Sequence, residues 1–159
     1  MRASYIKILH MNRAEFTLFK AQFVEASRTI LSEERSNVLA EAAFPAYANR
    51  NPLASFLFWR RIRVVMSFLQ KQGPFETVLD FGCGGGVMLP FLGGIARRVV
   101  AVDKELGPLK RMREHLEFPQ NIETADASRN SIQSLGHKAF DVVTALDVLE
   151  HVEIGRAHV

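Results

Sequence analysis

The stretch VLDFGCGGG, Val78 to Gly86, follows an apolar run with an aspartate, then sets four glycines around a lone cysteine. Gly82, Gly84, Gly85 and Gly86 permit positive φ and let a ligand approach bare backbone. A helix starting just after them presents free N–H groups. Pro90 fits only in that helix's first turn, where its missing N–H costs nothing, so the helix is expected to begin near Gly86. This is the turn of a nucleotide or nucleoside site. A dinucleotide fingerprint needs G-x-G-x-x-G. Gly82 and Gly84 fit, but Val87 stands where the last glycine belongs. A phosphate loop needs Gly-Lys-Ser/Thr after its first glycine, and the sequence lacks it. Asp80 is wrongly charged for a diphosphate and suits a cationic or hydroxyl-rich ligand.

Downstream, short valine-rich runs alternate with amphipathic segments: TVLDF, VVAVD, NIETAD and FDVVTALD. Each ends near an acid, Asp80, Asp103, Asp126 and Asp147, at intervals of 23, 23 and 21 residues. That is the length of a strand, a turn, a helix and a return. Unalternating valine runs suit strands buried on both faces of a parallel sheet. The predicted helices between them are GGVMLPFLGGIA, ELGPLKRMREHLEF and SRNSIQSLG. The class is therefore α/β, doubly wound, with a ligand crevice beyond the carboxyl ends of the strands.

Upstream, residues 13–72 read as helices forming an N-terminal cap. RAEFTLFKAQFVEASRTIL spaces Phe16, Phe19, Phe23, Val24, Ile30 and Leu31 helically. SEERSNVLAEAAF predicts a second helix capped by Ser32. The third is the clearest: Asn51 caps, Pro52 takes the first helical position, and Gly73-Pro74 stops it. Leu53, Phe56, Leu57, Val64, Val65, Phe68 and Leu69 recur along it at three- and four-residue steps. The expected organisation is a cap over residues 1–73 and a core over 74–153.

At 48% hydrophobic and 23% charged, 159 residues suit one soluble globular domain. One cysteine excludes an internal disulfide. No apolar run approaches a membrane span, and the start lacks a signal-peptide core, so a cytoplasmic protein is expected. Met1 and Met11 both serve as possible initiators. Residues 1–72 carry 11 Lys and Arg against 5 acids, and residues 73–159 carry 9 against 12. The basic residues are scattered, without a recognition motif, so nucleic acid is not an expected partner.

VLDFGCGGG resembles the first motif of class I S-adenosylmethionine-dependent methyltransferases. VVAVDKE resembles their second, IETADA their third and FDVVTALDVLEHV their fourth, in order and at matching intervals. The resemblance covers about residues 75–153 and implies a Rossmann-like sheet, of which the first four strands are present, behind a variable helical cap. It implies that the backbone of Gly82, Cys83, Gly84 and Gly86 lies against the methionine and ribose of the cofactor, with Asp80 near its ammonium end. Asp103 would accept both ribose hydroxyls and Lys104 would line the adenosine pocket. Asp126 would accept from the adenine amino group, or else cap the helix after it. The Ala127 N–H would donate to the ring, and Leu146 would flank the reacting methyl. Tyr47 resembles a cap tyrosine that contacts the cofactor in some members, and a packing role fits it equally. Cys83 reads as a small buried filler, since a methyl donor needs no covalent intermediate.

A methyl on a sulfonium is already activated, so positioning supplies much of the acceleration. A base is needed only where the acceptor must lose a proton, and the candidates are Asp147, Glu150 and His151. LDVLEHV resembles E-M-L-E-H-V of quinone-biosynthesis O-methyltransferases, where two acids and a histidine can hold a divalent metal. Asp147 in place of the glutamate shortens the reach, and no metal is expected. Phe58, Trp59, Arg60 and Arg61 on the third helix either meet an amphipathic substrate or lipid surface or pack in the core. The expected function is methyl transfer to a small-molecule or lipid-like acceptor. The alternatives are a non-catalytic S-adenosylmethionine-binding module and a nicotinamide oxidoreductase, the latter opposed by Val87 and Asp80.

The closing IGRAHV has neither periodicity nor strand pattern. The codons ATC-GGA-AGA-GCA-CAC-GTC spell it and resemble a sequencing-library adapter, so residues 154–159 are expected to be non-native and the chain a fragment. Class I methyltransferases continue past the fourth strand, and stopping there would expose an unpaired apolar edge prone to aggregation.

Overall fold

Asn12 begins the first helix with its side chain. Its Oδ1 accepts from the N–H groups of Ala14 and Glu15 at 2.9 and 3.0 Å, and its own N–H donates to Glu15 Oε2 at 2.8 Å. This reciprocal box satisfies donors that a helix start leaves open. The computed structural model describes residues 12–34, 37–127 and 140–146. Helix α1 (Arg13–Glu33) buries Phe16, Phe19, Phe23, Ala26 and Ile30 along one stripe, as the periodicity predicts. Ser32 does not cap a second helix. It lies in the last turn of α1, where its hydroxyl donates to the Thr29 carbonyl at 2.7 Å. The expected second helix is instead two short pieces, α2 (Asn37–Glu41) and α3 (Phe44–Tyr47). Ala43 between them has a left-handed φ of 63°, which ends the first piece and re-aims the chain.

Helix α4 (Pro52–Gln72) starts and stops as expected. Asn51 Oδ1 accepts from Leu53 and Ala54, and Gly73 is the C-cap. Its inward face differs from the expected apolar series. Trp59, Ile62, Met66 and Leu69 are buried, whereas Leu53, Phe56, Leu57, Val64 and Phe68 are 53–66% exposed. A helix apolar on several sides has no unique stripe. Trp59, edge-on to Phe16, Phe19 and Phe23 of α1, marks the side that packs inward.

After Gly73 come β1 (Phe75–Phe81), α5 (Leu89–Ile95), β2 (Ala96–Asp103), α6 (Gly107–His115), β3 (Ile122–Asp126) and β4 (Val142–Thr144). Helix α5 begins three residues beyond Gly86, so the glycine loop runs on through Met88, but Pro90 still falls in its first turn. All strand pairs are parallel and the order is β3-β2-β1-β4. This is an α/β Rossmann-like sheet with flanking helices. The chain walks outward from β1 to β3, then returns to the far side of β1, so the order reverses between β1 and β4. Such a reversal opens a crevice at the carboxyl ends of the two strands. Segment 128–136 and residues 154–159, for which a helix and a non-native tail are expected, lie outside the described residues.

The cap and the sheet share one hydrophobic cluster. Phe23, Phe44, Tyr47 and Trp59 join Val78, Phe91 and Val99 in it. Phe19 meets Phe91 of α5 edge-on, ring centroids 4.8 Å apart at 81°, a geometry worth about 0.5–1.5 kcal/mol beyond burial. This packing presses the cap onto the glycine loop.

Candidate cofactor-binding site

Asp80 reaches the switch point near the end of β1. The register places it opposite Thr144 of β4, and Thr144 Oγ1 donates to Asp80 Oδ1 at 2.6 Å. The carboxylate is only 4% exposed. Its pKa is raised to about 6, chiefly by burial, with the Thr144 bond opposing the rise and nearby Asp103 adding to it. Among the described residues its hydrogen-bond partner is thus a hydroxyl and not a cation.

Asp103 ends β2, one strand over. Its Oδ2 accepts from the Gly84 N–H at 2.8 Å and its Oδ1 from the Glu105 N–H at 3.1 Å. Each carboxylate oxygen can accept more than one hydrogen bond, so both keep capacity for a ligand hydroxyl. The loop is pinned beneath it, with the N–H groups of Gly82 and Cys83 donating to the Val102 carbonyl. Cys83 is buried, and burial, Asp80 and Asp103 all push its thiol pKa up. It is therefore a poor nucleophile, as expected.

The cap closes the other side. A Cβ on Gly85 would lie 2.8 Å from Phe44 Cε2 of α3, so only bare backbone admits the cap this closely. Between cap and loop lies a cavity of about 180 Å³ with Asp80 and Asp103 on its lining. A family model described as Methyltransferase domain matches residues 53–154. The chain belongs to that family. It is 37% identical over 119 residues to a ubiquinone biosynthesis O-methyltransferase of Hahella chejuensis, covering 71% of this chain and 44% of the relative. For the protein of that description from Nitrosococcus oceani the figures are 36% over 113 residues, 70% and 44%. For that from Idiomarina loihiensis they are 34% over 128 residues, 75% and 53%. The chain spans about half the length of these curated relatives.

The cavity gathers Asp80, Gly82, Cys83, Gly84, Asp103, Lys104, Ala127 and Leu146 from the matched domain, and Tyr47 from the cap before it, among the residues singled out in the sequence. Tyr47 stands between the rings of the cap and the cavity. It lines the cavity and packs edge-on to Phe23 at 5.0 Å and Phe58 at 5.1 Å. Three residues stand differently. Gly86 does not line the cavity; its φ is 81° and a Cβ there would sit 2.6 Å from Leu109 Cδ1, so it serves the turn and the seat of α6. Asp126 ends β3 exposed and is likewise absent from the lining. The Ala127 N–H already donates to the Asp103 carbonyl at 2.9 Å, extending the strand ladder, and is not free for an adenine ring. Asp147, Glu150 and His151 lie outside the described residues.

Several lining residues carried no sequence signal. Ala42, Ala43 and Ile62 reach the cavity only because the cap folds onto the loop, whereas Phe58, singled out on the third predicted helix, lines it as well. Thr144 likewise carried none, since it ends a short strand in which Val142 is half-buried and Val143 exposed.

Proposed function

We propose that the chain is the cofactor-binding part of an S-adenosylmethionine-dependent methyltransferase that acts on a small-molecule or lipid-like acceptor. The observation that carries this reading is the pair of carboxylates, Asp80 and Asp103, on one cavity at the strand-order reversal. A buried acid whose hydrogen-bond partner among the described residues is a hydroxyl and not a cation fits a ligand bearing an ammonium group. A second acid oriented by two backbone N–H groups fits vicinal hydroxyls. S-adenosylmethionine carries both and supplies a methyl group already activated on sulfur. Asp80 would hold the ammonium, Asp103 the ribose, and Gly82 to Gly84 the intervening chain. Lys104 would flank the adenosine. Asp126 would reach the adenine amino group only after its exposed side chain turns toward the cavity. Phe58, Ile62, Val87, Met88 and Leu146 make an apolar wall that keeps water from the transfer.

The names of the relatives support oxygen as the acceptor atom and a ubiquinone precursor as the acceptor class. A hydroxyl acceptor must lose its proton as the new C–O bond forms. His151, with Glu150 and Asp147 beside it in sequence, would take that proton. The outer face of α4 supports a lipid-like acceptor and a peripheral membrane contact. Phe56, Leu57, Val64 and Phe68 are exposed there, the helix adds Arg60, Arg61, Arg63 and Lys71, and it contains no acid. No helix among the described residues is long and apolar enough to cross a membrane.

The test is calorimetric titration of S-adenosylhomocysteine, with NAD as control. Binding of the former and not the latter is expected. Asp103→Ala should weaken it by about 30- to 100-fold, the worth of a charged hydrogen-bond pair. Binding of NAD with an affinity equal to or above that of S-adenosylhomocysteine would overturn the reading.

A further inference from the structure

We propose that Thr144 is a positioning residue of this site, its hydroxyl reaching across the β1–β4 reversal to orient Asp80 and keep it anionic for the ligand's ammonium group. The inference rests on the reading above, that the cavity takes S-adenosylmethionine. Thr144 is 6% exposed, and a buried hydroxyl costs stability unless it is hydrogen-bonded. Strand pairing needs only its backbone, and the valines before it show that an apolar side chain suits the strand. Its Oγ1 has two acceptors in range, Asp80 Oδ1 at 2.6 Å and the Leu79 carbonyl at 3.3 Å. One proton cannot serve both fully, and 2.6 Å is the length of a charge-assisted O–H···O bond. The proton therefore goes to Asp80. Parallel register makes the two residues direct neighbours on one face, so the contact needs no side-chain reorganisation.

The surroundings act against the carboxylate. Asp103 faces it from the end of β2, Cys83 contributes a protonated thiol from the loop, and Tyr47, Phe58 and Ile62 bring the cap. Lys104 and Glu105 line the same cavity with opposite charges. Burial and Asp103 both raise the Asp80 pKa, and the Thr144 hydrogen bond is the influence that lowers it. Without that bond the carboxyl takes up a proton nearer to neutral pH and loses its attraction for an ammonium group.

The experiment is titration of S-adenosylhomocysteine from pH 5.5 to 8.5 into the wild-type chain, Thr144→Val and Thr144→Ser. A second ligand, 5′-methylthioadenosine, lacks the ammonium and carboxylate. Wild-type affinity for S-adenosylhomocysteine should fall as pH drops through about 6. Thr144→Val should move that midpoint up by about one unit, which weakens binding at pH 6 about fivefold and leaves it near wild type at pH 8.5. Thr144→Ser should restore the wild-type profile. Methylthioadenosine should bind both variants as it binds wild type. An unchanged midpoint in Thr144→Val, or equal losses for both ligands, overturns the proposal and leaves the function standing. Failure of wild type to bind S-adenosylhomocysteine while binding methylthioadenosine would remove the ammonium role and the proposal with it. Should the valine variant not fold, Thr144→Ala carries the same expectation.

Discussion

The sheet and the cap are built from equally apolar sequence, yet they obey it differently. In β1 and β2, Val78, Val99, Val100 and Val102 are all buried, because a strand between neighbours with both faces covered has no choice of side. In α4 the apolar residues divide. Trp59 and Ile62 go inward and Phe56, Leu57 and Phe68 face out. A helix with apolar residues on several sides can dock on more than one of them, and its partner selects. The cavity inherits both behaviours, with a floor set by strand ends and a roof set by how the cap docks.

Substitutions in the two regions should separate these behaviours. The largest effect belongs to the inner face of the cap. Phe23 is fully buried and packs on Phe19, Tyr47 and Trp59. Phe23→Ala should cost about 3–5 kcal/mol in urea unfolding, and a loss below 1 kcal/mol would mean the cap is not docked as described. Next comes Asp80 on the sheet. Its folded pKa, about 6, lies above the ordinary carboxyl value of 3.8, so the folded state holds the proton more tightly. The penalty for the buried charge is absent below about pH 4, grows as pH rises to 6 and is full above it. Asp80→Asn should therefore stabilise the unliganded protein at pH 8 by up to about 3 kcal/mol. It should give no gain at pH 3.5, while weakening S-adenosylhomocysteine. A variant less stable than wild type at pH 8 would contradict this. Gly86→Ala, at φ 81° against Leu109, should cost about 1–2 kcal/mol from left-handed backbone strain. Smallest is Phe68→Ser on the outer face of α4, expected within about 0.5 kcal/mol in solution. A larger loss, or a change of sedimentation coefficient, would show that this face is covered by protein.

The strand ends were legible because acids after valine runs, at near-constant spacing, mark where a parallel sheet presents polar groups. Asp80, Asp103 and the loop between them follow from that pattern. Asp126 fits the pattern equally well, yet it stays exposed while its neighbour Ala127 lines the cavity. Register sets Asp126 directly beside Asp103, but β3 is the outer strand of the described sheet, so its end meets solvent where Asp103 meets the loop. The extra helix start at Ser32 failed because a good capping residue inside a continuing helix can return its hydroxyl to the preceding turn instead. Thr144 illustrates the remaining gap. A threonine in a strand has ordinary β propensity, and only the pairing of β1 with β4, across 64 positions of chain, turns it into Asp80's partner.

Local chemistry in the sequence thus determined the parallel α/β core, the glycine turn, the caps of α4 and the two acids that line the cavity. These depend on backbone stereochemistry and hydrophobic period, which act over a few residues. Tertiary structure alone decided which face of α4 is buried, that Phe44 and Tyr47 roof the loop, and that Thr144 meets Asp80. Those outcomes depend on long-range packing, where the lowest free energy is chosen among several docked arrangements that the local pattern allows equally.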